Sequence, residues 1–169
     1  MRVLGIDPGY AIVGYGVLDY NSSKFKVLDF GAVKTKAGES FPCRLQHIFE
    51  SLIKVIDLWQ PEVMAIEKVF HTTNAKTVMD VSQARGVIIL AAQVKGLDIV
   101  EYTPLQVKQS VVGYGRADKK QVQEMTRIIL KLNEVPKPDD TADALALAIC
   151  HAHSSSASQL IQRASRMSL

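Results

Sequence analysis

The order of strand-like and helix-like segments constrains the fold of this chain more than any other feature of the sequence. Residues 2–6, 13–20 and 25–35 form short apolar runs or alternate apolar with polar side chains, which predicts three strands joined by two hairpins. Apolar runs at 62–67 and 99–102 predict two further strands. The later strands are separated by helical patterns, so we expect parallel neighbours reached by right-handed crossovers beside an antiparallel hairpin.

Five segments have the apolar spacing or the end signals of helices. These segments are 42–60, 74–95, 104–112, 118–132 and 140–153. Proline stands near the start of the first and third of them, and Asp118 with Gln121 forms a capping box for the fourth. The sequence therefore predicts an α/β fold, with a mixed five-stranded sheet covered by helices on both faces.

Composition supports a single globular unit. The chain has 169 residues, of which 47% are hydrophobic and 22% are charged, so it has enough apolar surface to form a core. Residues 1–153 are predicted to form one domain, and the serine-rich residues 154–169 a flexible tail. An acidic residue at position 7 interrupts the apolar start, and no long uncharged apolar run follows. We therefore expect a soluble, cytoplasmic protein.

The cysteines and histidines show no ligand spacing. Cys43 and Cys150 are far apart in sequence and lie in no CxxC pattern, so we expect two buried small side chains rather than a disulfide or a zinc site. His151 and His153 lie near the predicted end of the last helix, where a cationic side chain complements the helix dipole.

The charges are distributed unevenly, although the net charge is only +3. Residues 1–70 are balanced, whereas basic side chains predominate in 71–96 and 101–135. Residues 136–150 reverse this trend with three aspartates. The excess of basic side chains is a mild indication of an anionic partner, and an acidic cluster beside basic segments is unusual.

Acidic residues occur at three places that the predicted fold would bring together. Asp7 ends the first strand and Glu67 the fourth, while Asp140 and Asp143 share one face at the start of the last helix. Each has an ordinary explanation alone: an Asx turn, a solvated strand end, or a complement to the helix dipole.

Convergence of these carboxylates would have a chemical consequence. Crowded carboxylates repel one another, and their pKa values rise unless cations compensate. A cluster of oxygen ligands without histidine or cysteine suits Mg²⁺ or Mn²⁺ better than zinc. Such ions activate water and stabilise the leaving oxygen in phosphodiester hydrolysis, so the pattern predicts a metal-dependent nuclease.

Five spaced blocks of sequence carry a family resemblance. They are LGIDPGYAIVGYGV, AIEKVF, QARGV, QVKQSVVGYGRADKKQVQ and DDTADALALAICH. In this order they resemble the bacterial RuvC family, the crossover junction endodeoxyribonucleases that resolve Holliday junctions. The resemblance spans residues 1–153. It implies a ribonuclease H-like fold and a homodimer that nicks two symmetric strands of a four-way junction with Mg²⁺, in homologous recombination and DNA repair. It also implies the branch-migration proteins RuvA and RuvB as partners.

The resemblance also assigns residues to the catalytic site. The implied catalytic and metal-binding tetrad is Asp7, Glu67, Asp140 and Asp143. Asp140 stands where some relatives have histidine and is still an acceptable ligand. A ligand role for the adjacent Asp139 is open. Lys108 and Lys119 match positions associated with DNA contact or with transition-state charge, and Lys119 is taken as catalytic.

Other DNA-binding candidates follow from charge or from position. Lys76, Arg116 and Lys120 are candidates through charge alone, and a solvated helix face is the better explanation for Lys120. Phe70 is either a packing residue or, as the resemblance favours, a wedge that stacks on unpaired bases. The helix at 74–95 is apolar on more than one face, including Met79, Ile89, Leu90 and Ala92; it suits either core burial or a two-fold subunit contact.

Three other functions remain open from the sequence. A phosphotransferase of the sugar kinase and actin type would use Asp7 and the glycines that follow to cradle phosphates, but such proteins normally pair two related domains. A non-catalytic module would bind junctions without nicking them. A nuclease of the same fold could instead act on RNA.

Overall fold

The computed structural model describes residues 1–68 and 75–167, with side chains described for 1–68 and 78–156. The strands are β1 (Arg2–Asp7), β2 (Ile12–Asn21), β3 (Lys24–Lys34), β4 (Val63–Glu67) and β5 (Asp98–Tyr102). The helices are α1 (Phe41–Trp59), α2 (Ala75–Val94), α3 (Pro104–Val112), α4 (Lys119–Leu130) and α5 (Asp139–Met167). None of the helices in the described ranges is long and apolar enough to cross a membrane.

The five strands form one mixed sheet in the order β3-β2-β1-β4-β5. β1 pairs antiparallel with β2, and β2 with β3, through the two hairpins that the sequence predicted. β4 lies parallel to β1 and to β5, because a helix precedes and follows it and returns the chain to the same end of the sheet. The predicted mixed sheet is confirmed, with β1 at its centre.

The two faces of the sheet carry separate hydrophobic clusters. Alternation along β1 sends Leu4 and Ile6 towards α1 and α2, and Val3 towards the opposite face. On that opposite face Leu145 and Ile149 of α5 pack beside apolar residues of α3 and α4. Helices therefore cover both faces, as the sequence predicted.

Glycines in β1 and β2 allow α5 to lie very close to the sheet. A Cβ atom on Gly14 would stand 2.0 Å from the carbonyl oxygen of Asp140, and one on Gly5 would stand 2.0 Å from that of Ala144. Gly14 is also the residue paired with Asp7 across the β1–β2 ladder. The close approach therefore brings the start of α5 over the end of β1.

Capping explains where two of the helices begin. Thr103 and Gln106 form a capping box at the start of α3, and the predicted box of Asp118 and Gln121 is present at the start of α4. These side chains satisfy backbone groups that the first helical turn leaves free. α3 begins directly after the end of β5, at the carboxyl edge of the sheet.

The last helix is longer than its predicted span. α5 continues to Met167, whereas its periodicity indicated an end near residue 153. The serine-rich stretch contains neither glycine nor proline, so nothing in it breaks a helix. The division between a domain of residues 1–153 and a flexible tail of 154–169 stays a prediction.

Only one of the two cysteines is buried. Cys150 lies in the core, as expected, but the prediction for Cys43 is wrong because Cys43 is exposed. In α1 the buried stripe is formed by Ile48, Leu52 and Ile56, and Cys43 lies off this stripe near the first turn. Both cysteines are free thiols.

Candidate active site

Three of the predicted acidic residues line one cavity at the carboxyl edge of the sheet. Asp7 and Glu67 end the parallel neighbours β1 and β4, so their side chains emerge at the same edge. Asp143 reaches this edge from α5, and Lys108 and Lys119 come from α3 and α4. The cavity has a volume of about 180 Å³. The structure thus brings together residues from five elements.

The remaining lining of the cavity is mostly apolar. Its residues are Pro104, Val107, Val122, Ala146 and Leu147. None of these five residues was a predicted site residue. A signal existed for Leu147, because it follows Asp143 by four residues, a spacing that places two side chains on one helix face. An apolar wall reduces the access of water to the acidic side chains and strengthens their electrostatic interactions.

Asp7 has the most strongly altered pKa of these acids. Burial, followed by the charges of Glu67, Asp143 and Asp140, raises the pKa of Asp7 from its ordinary 3.8 to about 8, against the opposing charge of Lys119. Burial and then the charge of Asp143 also raise the pKa of Glu67. Burial and the proximity of the other carboxylates therefore both disfavour the charged forms of these two acids.

Lys119 compensates for part of this charge. Its Nζ lies 3.0 Å from Oδ2 of Asp143 and 3.5 Å from Oδ2 of Asp139. Burial alone would lower the pKa of Lys119, but its hydrogen bond with Asp143 and the two carboxylate charges raise it. Burial nevertheless raises the pKa of Asp143, although Lys119 acts in the opposite direction.

The chemistry of the donor set fits a hard divalent cation. The acidic side chains offer carboxylate oxygens, and burial followed by mutual repulsion raises the pKa values of Asp7 and Glu67, an effect that a nearby cation would oppose. In this conformation, however, no three His, Cys, Asp or Glu side chains in the part of the chain with described side chains are arranged to hold one ion. The site supplies carboxylate oxygens and negative charge, while the Nζ of Lys119 lies beside Oδ2 of Asp143.

The two other acids stand beside the cavity rather than in its lining. The backbone of Asp140 packs on Gly14, opposite Asp7, and its side chain is partly buried. Asp139 is largely exposed and pairs with Lys119. The charges of Asp139 and Asp140 act in the direction that raises the pKa of Asp143.

The predicted DNA-binding residues are placed differently from one another. Lys108 lines the cavity, whereas Arg116 and Lys120 are exposed and do not. Lys76 belongs to the first turn of α2, but its side chain is not among those described. Phe70 lies outside the described residues.

Two histidines that the sequence assigned to a helix end instead join α5 to its neighbours. Nδ1 of His151 lies 2.9 Å from the hydroxyl oxygen of Tyr102 at the end of β5. Nδ1 of His153 lies 3.2 Å from Oγ of Ser110 in α3. The helix-dipole interpretation is wrong because α5 continues well beyond both residues.

Three large apolar side chains are exposed on the outer face of α2. Met79, Leu90 and Val94 have exposed fractions of 63%, 53% and 62%. Ala92 is fully buried and Ile89 packs against the core, so these two residues explain the second apolar face of the helix by ordinary burial. The exposed side chains leave an unpaired stripe on α2.

Fold and site together define a class of protein. The central mixed sheet, with carboxylates at the ends of two parallel strands and a third carboxylate from the last long helix, is that of the ribonuclease H-like α/β proteins. Residues 3–151 match the family described as crossover junction endodeoxyribonuclease RuvC. The chain belongs to this family.

Individual relatives agree over nearly the whole chain. It is 58% identical over 154 residues to the crossover junction endodeoxyribonuclease RuvC of Alkaliphilus metalliredigens (strain QYMF), covering 91% of this chain and 94% of that protein. It is 35% identical to a structure of Thermus thermophilus RuvC, with a TM-score of 0.86 and coverage of 94% and 97% of the two chains. A structure of T. thermophilus RuvC in complex with Holliday junction substrate gives 36% identity, a TM-score of 0.87 and coverage of 92% and 94%. The expected family and ribonuclease H-like fold are confirmed.

Proposed function

We propose that this chain is a metal-dependent endonuclease that resolves four-way DNA junctions by symmetric phosphodiester hydrolysis in two strands, in recombination and repair. The observation that carries the proposal is the cavity in which Asp7, Glu67, Asp143 and Lys119 meet, in a member of the crossover junction endodeoxyribonuclease family. Family membership also argues against a phosphotransferase of the sugar kinase type.

Four carboxylates are proposed to hold the cation. Asp7 and Glu67 would ligate it from adjacent strands, and Asp140 and Asp143 from the first turns of α5. Carboxylate oxygens without nitrogen or sulfur ligands favour Mg²⁺, with Mn²⁺ as a substitute. When bound, one or two such ions supply the Lewis acid that phosphodiester hydrolysis requires.

Two lysines are proposed to act on the phosphate. Lys108 and Lys119 both line the cavity, so their ammonium groups would face a phosphate that enters it. The negative charge of the phosphate oxygens increases in the transition state, and a cation already in place stabilises it without reorganisation. Lys119 carries such a charge at neutral pH, because its ordinary pKa is 10.5 and its carboxylate neighbours raise that pKa further.

The proposal extends to assembly and to DNA contact. The exposed apolar stripe of α2 would pair with its copy in a homodimer, placing two identical sites about a two-fold axis. Phe70 would serve as a wedge, and Lys76, Arg116 and Lys120 would contact the DNA backbone. RuvA and RuvB are the proposed protein partners, and the cytoplasm the proposed compartment.

Cleavage of end-labelled DNA tests this function. The substrates are a four-way junction, a linear duplex of the same arms and an RNA–DNA hybrid, each with and without Mg²⁺. We expect paired nicks in the junction alone and only with the cation. The Asp7→Asn variant should still bind the junction but should not cut it.

Three results would contradict the proposal. Binding without nicking at any Mg²⁺ or Mn²⁺ concentration would indicate a junction-binding module. Preferred cleavage of the hybrid would make RNA the substrate. Undiminished nicking by Asp7→Asn would remove this residue from the proposed ligands.

A further inference from the structure

Tyr102 is fixed beside Glu67 by strand pairing. It is the last residue of β5, and its partner in the β4–β5 register is Glu67. Lys68 is the residue after β4, and its backbone N–H donates to the carbonyl oxygen of Tyr102 at 2.8 Å. The position of the Tyr102 backbone and that of the Glu67 backbone are therefore coupled through the sheet.

The side chain of Tyr102 reaches α5, the helix that carries Asp143. Tyr102 is only 6% exposed, and its hydroxyl forms a hydrogen bond of 2.9 Å with Nδ1 of His151. The two rings meet edge to face, with centroids 6.0 Å apart. Along α5, Leu147 lies one turn from both Asp143 and His151, so cavity lining and the histidine share one side of the helix.

This hydrogen bond is directional, whereas the apolar packing of α5 on the sheet is not. Leu145 and Ile149 hold α5 against the sheet through non-directional contacts, which tolerate small sliding movements of a helix. A hydrogen bond between the buried phenol of Tyr102 and the partly buried imidazole of His151 depends on distance and angle and therefore favours one position along the helix axis.

We propose that Tyr102 and His151 are positioning residues that set the separation of Glu67 and Asp143 and thereby the arrangement of carboxylates offered to the cation. This inference rests on the proposed function. Neither residue touches the cavity; Tyr102 acts through the β4–β5 pairing, and His151 acts through about two turns of α5.

The ionisation of both groups is compatible with a neutral hydrogen bond. Burial lowers the pKa of His151 below its ordinary 6.5. Burial also raises the pKa of Tyr102 above its ordinary 10.0, against the opposing effect of a hydrogen bond with Ser154. Imidazole and phenol are therefore both uncharged near pH 7.

Four single variants and one double variant test the role. Tyr102→Phe and His151→Leu each remove one partner, and Tyr102→Phe/His151→Leu removes both. His151→Asn keeps a polar atom near the position of Nδ1. The matched control is Tyr20→Phe, because the Tyr20 hydroxyl also bonds to α5, accepting from Ser156 at 3.1 Å, but at the other end of the sheet from the cavity.

The first readout is steady-state junction cleavage with saturating Mg²⁺ at a temperature where every variant is folded. We expect kcat to fall about tenfold in Tyr102→Phe and in His151→Leu, with KM for the junction unchanged, since small displacements of reacting groups are costly. The double variant should be no slower than the slower single one, because both changes remove the same contact. His151→Asn should recover most of the rate, and Tyr20→Phe should match the wild type.

The second readout is Mn²⁺ binding to the DNA-free protein by titration calorimetry, with thermal unfolding measured in parallel. We expect the affinity for Mn²⁺ to weaken about fivefold in Tyr102→Phe but not in Tyr20→Phe, since partners outside the ligand set affect metal affinity on this scale or more. If Tyr102→Phe lowers Tm as Tyr20→Phe does and leaves both kcat and Mn²⁺ affinity unchanged, the pair is only structural and the inference is wrong. If the wild type binds Mn²⁺ but cuts no junction, while Tyr102→Phe still weakens Mn²⁺ binding, the proposed function fails and the positioning role stands.

Discussion

At the scale of single residues, Asp7 shows how burial and neighbouring carboxylates change the pKa of an acid at this site. Its carboxyl group ends the central strand, where burial and the neighbouring acids raise its pKa from 3.8 to about 8. Because the folded pKa exceeds the unfolded one, the folded protein binds more protons between these pH values. The contribution of Asp7 to stability is therefore present in acid and is lost as the pH rises from about 4 to 8.

The loss of stability with rising pH gives a prediction for the metal-free protein. In EDTA at pH 8 we expect Asp7→Asn to unfold with a free energy about 1–3 kcal/mol higher than that of the wild type, whereas the difference should vanish at pH 4. Urea denaturation at both pH values measures it. Asp57→Asn is the control, because Asp57 pairs with Lys95 on the surface, and that variant should gain no stability at pH 8. Equal pH profiles for Asp7→Asn and the wild type would contradict the raised pKa.

At the scale of elements, the approach of α5 to the sheet decides where the acids lie. α5 carries Asp140 and Asp143, and its first turn rests directly on the backbone of Gly14. Gly14 faces Asp7 across the hairpin ladder. The absence of side chains at Gly14 and at Gly5 therefore allows the close approach that brings the helix acids beside the strand acids.

Gly14→Ala tests this contact. The added Cβ would meet the carbonyl oxygen of Asp140 at 2.0 Å, and neither backbone can move freely. We expect a loss of stability of about 1–3 kcal/mol and a loss of junction cleavage that exceeds any loss of folded protein. Chemical denaturation and cleavage kinetics measure the two effects. Gly38→Ala is the matched control, because nothing lies within 4 Å of an added Cβ there; wild-type cleavage by Gly14→Ala would show that the close approach is not needed.

At the scale of the whole molecule, the cavity and the exposed stripe of α2 lie on opposite faces of the sheet. α3, α4 and α5 cover the face that surrounds the cavity, and α1 and α2 cover the other. The exposed stripe of α2 contains Met79, Leu90 and Val94 and lies on the helical layer away from α5. A contact through this stripe would leave the cavities of both subunits accessible to DNA.

Leu90→Glu tests the proposed homodimer. Leu90 is 53% exposed, so a charge there should leave the fold intact but should be unfavourable in an apolar subunit contact. We expect a monomer by sedimentation, with normal thermal unfolding and without paired cleavage of the two junction strands. Leu58→Glu is the control, because Leu58 of α1 is 71% exposed and belongs to no proposed contact. A dimer of unchanged stability in Leu90→Glu would exclude this stripe as the interface.

The sequence by itself determined the elements and the types of donor. Strand and helix periods repeat locally, and the capping box at Asp118 involves only near neighbours, so these features were correctly predicted. The shared edge of Asp7 and Glu67 was predicted because each ends an apolar strand, and strands that run parallel end at one edge.

Only the tertiary structure decided how these parts meet. Three contacts join residues that are distant along the chain. They are the packing of α5 on Gly14, the ion pair of Lys119 with Asp143 and the hydrogen bond between Tyr102 and His151. No local period encodes such contacts, since they depend on how closely a helix packs on a sheet. The pKa of Asp7 belongs with them, because burial and neighbouring charge exist only once the chain has folded.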